Sequence, residues 1–143
     1  QPDDLEPARA AACRAITVAM RSQPFMIAGP QRFDTDLMTA ASGAVVSKIG
    51  AEGFNGIGVM AGKAAGFTSS LGITVKISDG DLLMRAGCTV VVEILQQLGI
   101  LSIDQVRALP DYGRRVLKNW RGMEIGEVRP SRELVEALRQ TFA

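Results

Sequence analysis

The groups able to do chemistry in this chain are few, and the absent ones narrow the field most. Its 143 residues contain no histidine, which removes Ser-His and Cys-His nucleophile pairs and every imidazole metal site. Catalysis would fall to lysine, carboxylates, hydroxyls or backbone amides. Among the lysines, Lys48 is distinguished by its setting, Val45-Val46-Ser47-Lys48-Ile49-Gly50-Ala51-Glu52-Gly53. The run reads as a strand, with Lys48 sharing a face with Val46 and Gly50 while Val45, Ser47 and Ile49 point the other way. A solvated strand lysine is the ordinary reading of such a pattern. The other is a proton-handling amine, with Gly50 leaving room for something to lie along the strand edge.

Other candidate motifs are weaker. Gly56-x-Gly58-x-x-x-Gly62 misses the spacing of a dinucleotide loop and lies within a strand instead of opening a helix. Its glycines fit a bulge, or a close backbone approach to a ligand or a neighbouring chain. Arg114-Arg115-Val116-Leu117-Lys118-Asn119-Trp120-Arg121 is basic with one aromatic, but the net charge of +1 supplies no surrounding basic field. A solvated loop fits it better than a nucleic-acid contact. Asp3, Asp4 and Glu6 read as a solvated helix entry, favourably placed on the helix dipole. Cys13 and Cys88 show no short-spaced motif and read as small buried hydrophobes in a reducing, cytoplasmic setting. The residues point to no cofactor and no metal site.

The elements that must position these groups follow from periodicity. Leu5, Ala8, Ala12, Ile16, Ala19 and Met20 recur at helical steps over residues 5–22, with Arg9, Arg14 and Arg21 mostly off that face. Pro7 suits the first turn and Pro24 ends the pattern. Asp34 can cap a short helix through Leu37, Met38 and Ala41, closed by Gly43. Strands are expected over 44–50, 57–61 and 71–78, the first two joined at an Asn55-Gly56 turn signal, as an antiparallel meander. Residues 62–70 read as a loop. Asp81 opens a long helix to about residue 98, apolar on most sides through Leu82, Leu83, Met84, Val91 and Leu95, and so packed against more than one layer. Gly87 inside it implies close packing against another element. Gly99 ends it, and Ser102 with Gln105 forms a capping box for a helix to about Leu109. Residues 110–122 read as irregular, 123–129 as a fourth strand, and Ser131 caps a last helix to about Phe142. The expected class is α+β, a mainly antiparallel sheet of about four strands packed with helices.

Length fits one domain over residues 1–143. With 47% hydrophobic and 22% charged residues, the composition is that of a folded globular chain and not of a disordered one. No apolar run reaches the roughly 18–20 residues of a membrane span, and the acidic start Gln1-Pro2-Asp3-Asp4 is unlike a signal peptide. A chain opening on Gln1 is expected to be a fragment or a processed product.

The segments Pro24-Phe25-Met26-Ile27-Ala28-Gly29, Ser47-Lys48-Ile49-Gly50-Ala51-Glu52-Gly53, Ile57-Gly58-Val59 and Leu71-Gly72-Ile73-Thr74-Val75-Lys76-Ile77-Ser78-Asp79-Gly80-Asp81 occur in this order. Together they resemble the C-terminal half of the bacterial L-asparaginase II family, of the type related to the thermolabile rhizobial enzyme. Residues 90–99 and Asn119-Trp120-Arg121-Gly122 to Gly126-Glu127 fit it more loosely. The resemblance implies part of a fold like that of serine β-lactamases, penicillin-binding proteins and serine glutaminases. In those enzymes a strand bearing Lys-x-Gly faces a serine from a helical Ser-x-x-Lys, and Lys48-Ile49-Gly50 matches the strand motif. No Ser-x-x-Lys occurs in this sequence.

The resemblance therefore implies an amidohydrolase that converts L-asparagine to aspartate and ammonia through a serine acyl-enzyme, and a chain inactive without a missing N-terminal half. Lys48 is the implied catalytic residue. A lysine acts as a base only when partly neutral, which a like charge or burial promotes. Gly50 and Ala51 would border the substrate, with a strand amide at the oxyanion, and Arg32 falls in a family-like position that an ion pair would also explain. The implied partners are a small amino-acid amide, the missing half and a second copy of the chain, with no nucleic acid and no membrane. The alternatives are a binding or regulatory module that kept the fold, and a serine amidase acting on glutamine or another amide.

Overall fold

The computed structural model describes residues 4–82 and 84–142. Asp3 in the acidic entry and Leu83 in the long helix lie outside the described residues. The elements run α1 Pro7–Ser22, α2 Phe25–Ala28, α3 Phe33–Ala40, β1 Val45–Ile49, β2 Phe54–Val59, β3 Leu71–Lys76, α4 Gly87–Gln97, α5 Ile103–Arg107, β4 Arg115–Lys118, β5 Glu124–Val128 and α6 Arg132–Phe142. This is an α+β architecture. Strands β1, β2 and β3 form an antiparallel meander in that order, and β4 and β5 form a separate antiparallel pair.

Several local rules hold. Glu6 caps α1 by accepting the Ala8 and Arg9 amides, each at 3.2 Å, with Pro7 at the first helical position. Ser102 and Gln105 form the expected capping box on α5, and Ser131 accepts the Leu134 amide at 3.2 Å to start α6. Gly99, at φ 67°, ends α4 in the left-handed conformation that glycine adopts without strain.

Strand alternation places the core. On one face of the meander Val45, Ser47, Asn55, Ile57, Val59 and Val75 are buried. Phe33, Leu37 and Met38 of α3 and Cys88, Val91, Val92 and Leu95 of α4 join Val45, Ile57, Val59 and Val75 in one apolar cluster. Each buried aliphatic side chain of this kind contributes about 1.5–3 kcal/mol relative to exposure. On the other face Lys48, Phe54, Thr74 and Lys76 are exposed.

Other expectations are corrected. The apolar side of α1 faces out: Ile16 is 60% exposed, and Ala10 is the helix's buried residue. The arginine expected off the buried face points in, since Arg21 Nε donates to the Gly43 carbonyl at 2.7 Å. Strand β2 begins at Phe54, so Asn55-Gly56 lies in the ladder, and the turn is made by 50–53, with Glu52 at φ 56° and Gly53 at φ 70°. Helix α4 begins at Gly87 and not at Asp81, because Asp81 and Met84 take left-handed backbone angles of 44° and 49°. Gly87 is therefore the first helical residue; a Cβ there would stand 2.7 Å from Asn55 Nδ2, which is the close packing expected of it. Residues 115–118, read as irregular, form β4. The fourth expected strand pairs with them and stays apart from the main sheet. Cys13 is half-exposed, and Cys88 alone of the two is buried.

Candidate active site

Among the described residues strand β1 is an edge strand, paired with β2 on one side. The Gly50 amide donates to the Phe54 carbonyl at 2.9 Å, so by antiparallel alternation Lys48 and Gly50 turn their backbone groups toward β2 while Ser47 and Ile49 turn theirs outward. The outward groups of Ile49 are satisfied by side chains. Its amide donates to Asp34 Oδ2 at 2.9 Å, and its carbonyl accepts from Lys48 Nζ at 2.6 Å. Asp34 Oδ1 accepts the Ser47 hydroxyl at 2.6 Å, and Asp34 Oδ2 lies 3.8 Å from Lys48 Nζ. One carboxylate of α3 thus touches three consecutive residues of the strand.

The two charges differ in surroundings: the Lys48 side chain is 61% exposed and that of Asp34 is 2% exposed. A buried carboxylate is costly unless hydrogen bonds and a counter-charge compensate it, and here it has both. Sequence reasoning assigned Asp34 to the cap of α3; the structure places Arg32 at the cap position and Asp34 inside the helix. A signal for its burial was present, since Asp34 precedes Leu37, Met38 and Ala41 by three, four and seven residues and shares their inward face.

The remaining sequence candidates are dispersed around this cluster. Gly50 lies just beyond β1, but its missing side chain makes room for Phe54: a Cβ would stand 2.9 Å from Phe54 Cδ1. The same ring lies against Gly56, where a Cβ would be 3.3 Å from Phe54 Cε1. Ala51 is exposed in the turn, and Arg32 is exposed at the start of α3. The Arg32 guanidinium takes no part in the Asp34–Ser47–Lys48 contacts among the described residues.

A cleft of about 600 Å³ opens beside the end of β1, lined by Ile49, Gly50, Phe54, Asn55, Asp81 and Cys88 among others. Asp81 is buried and gathers the backbone amides ahead of α4, accepting Arg85 N at 2.9 Å and Gly87 N at 2.7 Å. It caps the helix from six residues upstream. Asn55 is buried, and its Oδ1 has no hydrogen-bond partner among the described residues. Burial, reinforced by the charges of Asp81 and Asp34, pushes the Cys88 thiol up to about 12. A thiol held neutral in this way is no nucleophile at ordinary pH. Among the described residues no cluster of acidic or cysteine side chains is arranged to hold a metal ion, and no helix is long and apolar enough to cross a membrane.

A comparison with curated proteins found no match. The family model for L-asparaginase II matches residues 1–130, a span that takes in the lysine strand, the whole meander, α4 and the β4–β5 hairpin. By that match, this chain is a member of the L-asparaginase II family.

Proposed function

We propose that this chain carries the lysine strand of an asparaginase of the rhizobial type, and that the serine it serves lies in sequence outside these 143 residues. Membership in the family gives the chain an asparaginase-type amidohydrolase function. In the proposed reaction the serine hydroxyl adds to the side-chain amide carbon of L-asparagine, and its proton passes through the lysine pair to the departing nitrogen. Ammonia leaves, and water then hydrolyses the acyl-enzyme to aspartate.

Lys48 is the second lysine beside the serine, favouring the neutral form of the first by its like charge, moving that proton or steadying the leaving group. Gly50 and Ala51 border the substrate at the turn where the strand ends, and Arg32 stands at the rim. Pairing with the serine-bearing segment or with a second copy would cover apolar side chains left exposed, among them Phe25 and Met26. The two unpaired cysteines accord with a reducing, cytoplasmic setting.

The observation that carries this reading is Lys48-Ile49-Gly50 at the end of an edge strand inside the matched region. The test is ammonia release from L-asparagine and from L-glutamine by the full-length protein and its Lys48→Ala variant. Turnover should fall by about 10²–10⁴-fold in the variant, with asparagine the better substrate. Near-normal turnover would remove Lys48 from the chemistry, and a faster release from glutamine would move the substrate. The absence of Ser-x-x-Lys from the sequence favours a second reading of the chain taken alone, a binding module without chemistry. Amide hydrolysis by the 143-residue chain itself would dispose of both that reading and the external serine.

A further inference from the structure

The buried carboxylate of Asp34 is used by neither the family motif nor the proposed reaction, yet it grips the residues on both sides of Lys48. From this geometry we infer that Asp34 is the positioning residue of Lys48: it fixes the lysine strand to α3 and supplies the counter-charge that holds the amine at the strand edge. The inference rests on the catalytic reading of Lys48.

Three observations carry it. First, Asp34 Oδ1 and Oδ2 accept the Ser47 hydroxyl at 2.6 Å and the Ile49 amide at 2.9 Å. These contacts bracket Lys48 and leave the strand no freedom to slide along α3. Second, Lys48 Nζ donates to the Ile49 carbonyl at 2.6 Å and stands 3.8 Å from Asp34 Oδ2. The long, mostly exposed side chain is thereby folded back onto its own strand edge, where without a counter-charge a free lysine samples many rotamers. Third, α3 is itself fixed by the core, with Phe33 and Leu37 fully buried and Met38 nearly so. The carboxylate is therefore anchored before it anchors anything else.

A structural role alone would need only the two hydrogen bonds. A positioning role also needs the charge, and the two separate in Asp34→Asn. An asparagine of the same shape can accept the Ile49 amide through Oδ1 and donate to the Ser47 hydroxyl through Nδ2, keeping the strand in place while losing the charge. Asp34→Ala loses both.

The experiment measures hydrogen exchange at the Ile49 amide together with asparagine kinetics of the full-length protein, for Asp34→Asn, Asp34→Ala, Lys48→Ala and the Asp34→Asn/Lys48→Ala double variant. Asp34→Asn should keep Ile49 protection within about threefold of the parent. It should also lower kcat by about tenfold or more with KM little changed, since an interaction lost only from the reacting geometry appears in kcat. In the Lys48→Ala background the same change should cost nothing further, because the group it acts through is gone. Asp34→Ala should speed Ile49 exchange by at least tenfold; if that variant fails to fold, the asparagine variant still decides. Normal kcat in Asp34→Asn overturns the inference, as does an equal loss with and without Lys48. Full turnover in Lys48→Ala would instead overturn the catalytic reading of Lys48, and the Ile49 exchange rates would still report whether Asp34 holds the strand.

Discussion

The β1–β3 meander and the β4–β5 hairpin are both antiparallel and both lie inside the family match, but they are held by different physics. The meander buries one face against α3 and α4 and ties its edge through Asp34. The hairpin buries no residue of either strand, and Val116, Leu117, Trp120, Met123 and Ile125 stand exposed around it. It is closed locally: Asn119 Oδ1 accepts the Arg121 and Met123 amides at 2.9 and 3.0 Å, and Glu127 pairs with Arg114 and Arg129, each at 2.7 Å. Its tie to the core is Arg115, which donates to Thr89 Oγ1 at 3.2 Å and to the Arg85 carbonyl at 3.0 Å. Exposed ion pairs are screened by water and contribute little, so the hairpin belongs at the low-stability end of the molecule and the meander at the high end.

Core truncation gives the strongest test of that contrast. Leu95 is fully buried on α4, and Leu95→Ala should lower the unfolding free energy by about 2–5 kcal/mol, read as a shift of the urea midpoint. A loss below 1 kcal/mol would mean that α4 and the meander are not one packed unit.

pH should divide the two regions in opposite directions. The Cys88 thiol titrates near 9.0 when exposed and is pushed up to about 12 by burial in the folded chain. Between those values the unfolded state binds fewer protons, so stability falls as pH rises, and Cys88→Ala should flatten this alkaline slope. Burial and the hydrogen bond to Asp36 raise the Tyr112 hydroxyl as well, which adds to the same slope. In the hairpin, the hydrogen bond from Arg114, helped by Arg129, lowers Glu127. Its contribution is present above the ordinary carboxylate value and is lost as pH falls through the lowered one. Urea midpoints across the alkaline range, and Trp120 fluorescence across the acid range, check the two arms. An alkaline slope unchanged in Cys88→Ala would remove the thiol from the account.

The smallest effect is expected at the hairpin tip. Trp120 is 87% exposed, with the Arg121 guanidinium 4.7 Å from its ring centroid. Trp120→Ala should cost less than about 1 kcal/mol, the range of an exposed cation–π contact. A larger loss in thermal unfolding would show that this face is covered in solution.

How far the fold could be read from sequence follows the same division. Alternation in Val45 to Ile49 and Leu71 to Lys76 marks a half-buried sheet, because burial of one face imposes period two on the residues. Strand β4 was hidden, since Arg115-Val116-Leu117-Lys118 buries neither face and so carries no alternation. The apolar residues at 82 and 84 extended the α4 pattern past its true start, which Asp81 sets by gathering the amides of residues 85–87. At the site, Lys48 was legible through its motif. The burial of its partner Asp34 could be read from helical spacing, but its contact with the strand could not, since a hydrogen bond 15 residues away leaves no mark on local periodicity. Nor did the sequence reveal that Gly50 accommodates Phe54, a contact made only when the turn folds back.

The two aspartates of α3 also differ in when their contacts become affordable to the folding chain. Asp34 reaches Ile49 across 15 residues of sequence, whereas Asp36 accepts the Tyr112 hydroxyl across 76. By loop-closure entropy the shorter link costs roughly 1.4 kcal/mol less to close, and contacts local in sequence form sooner. On that cost alone, the lysine strand should dock on its helix before the segment around Tyr112 closes. The anchor of Lys48 is contained in one short stretch of chain, from Asp34 to Ile49.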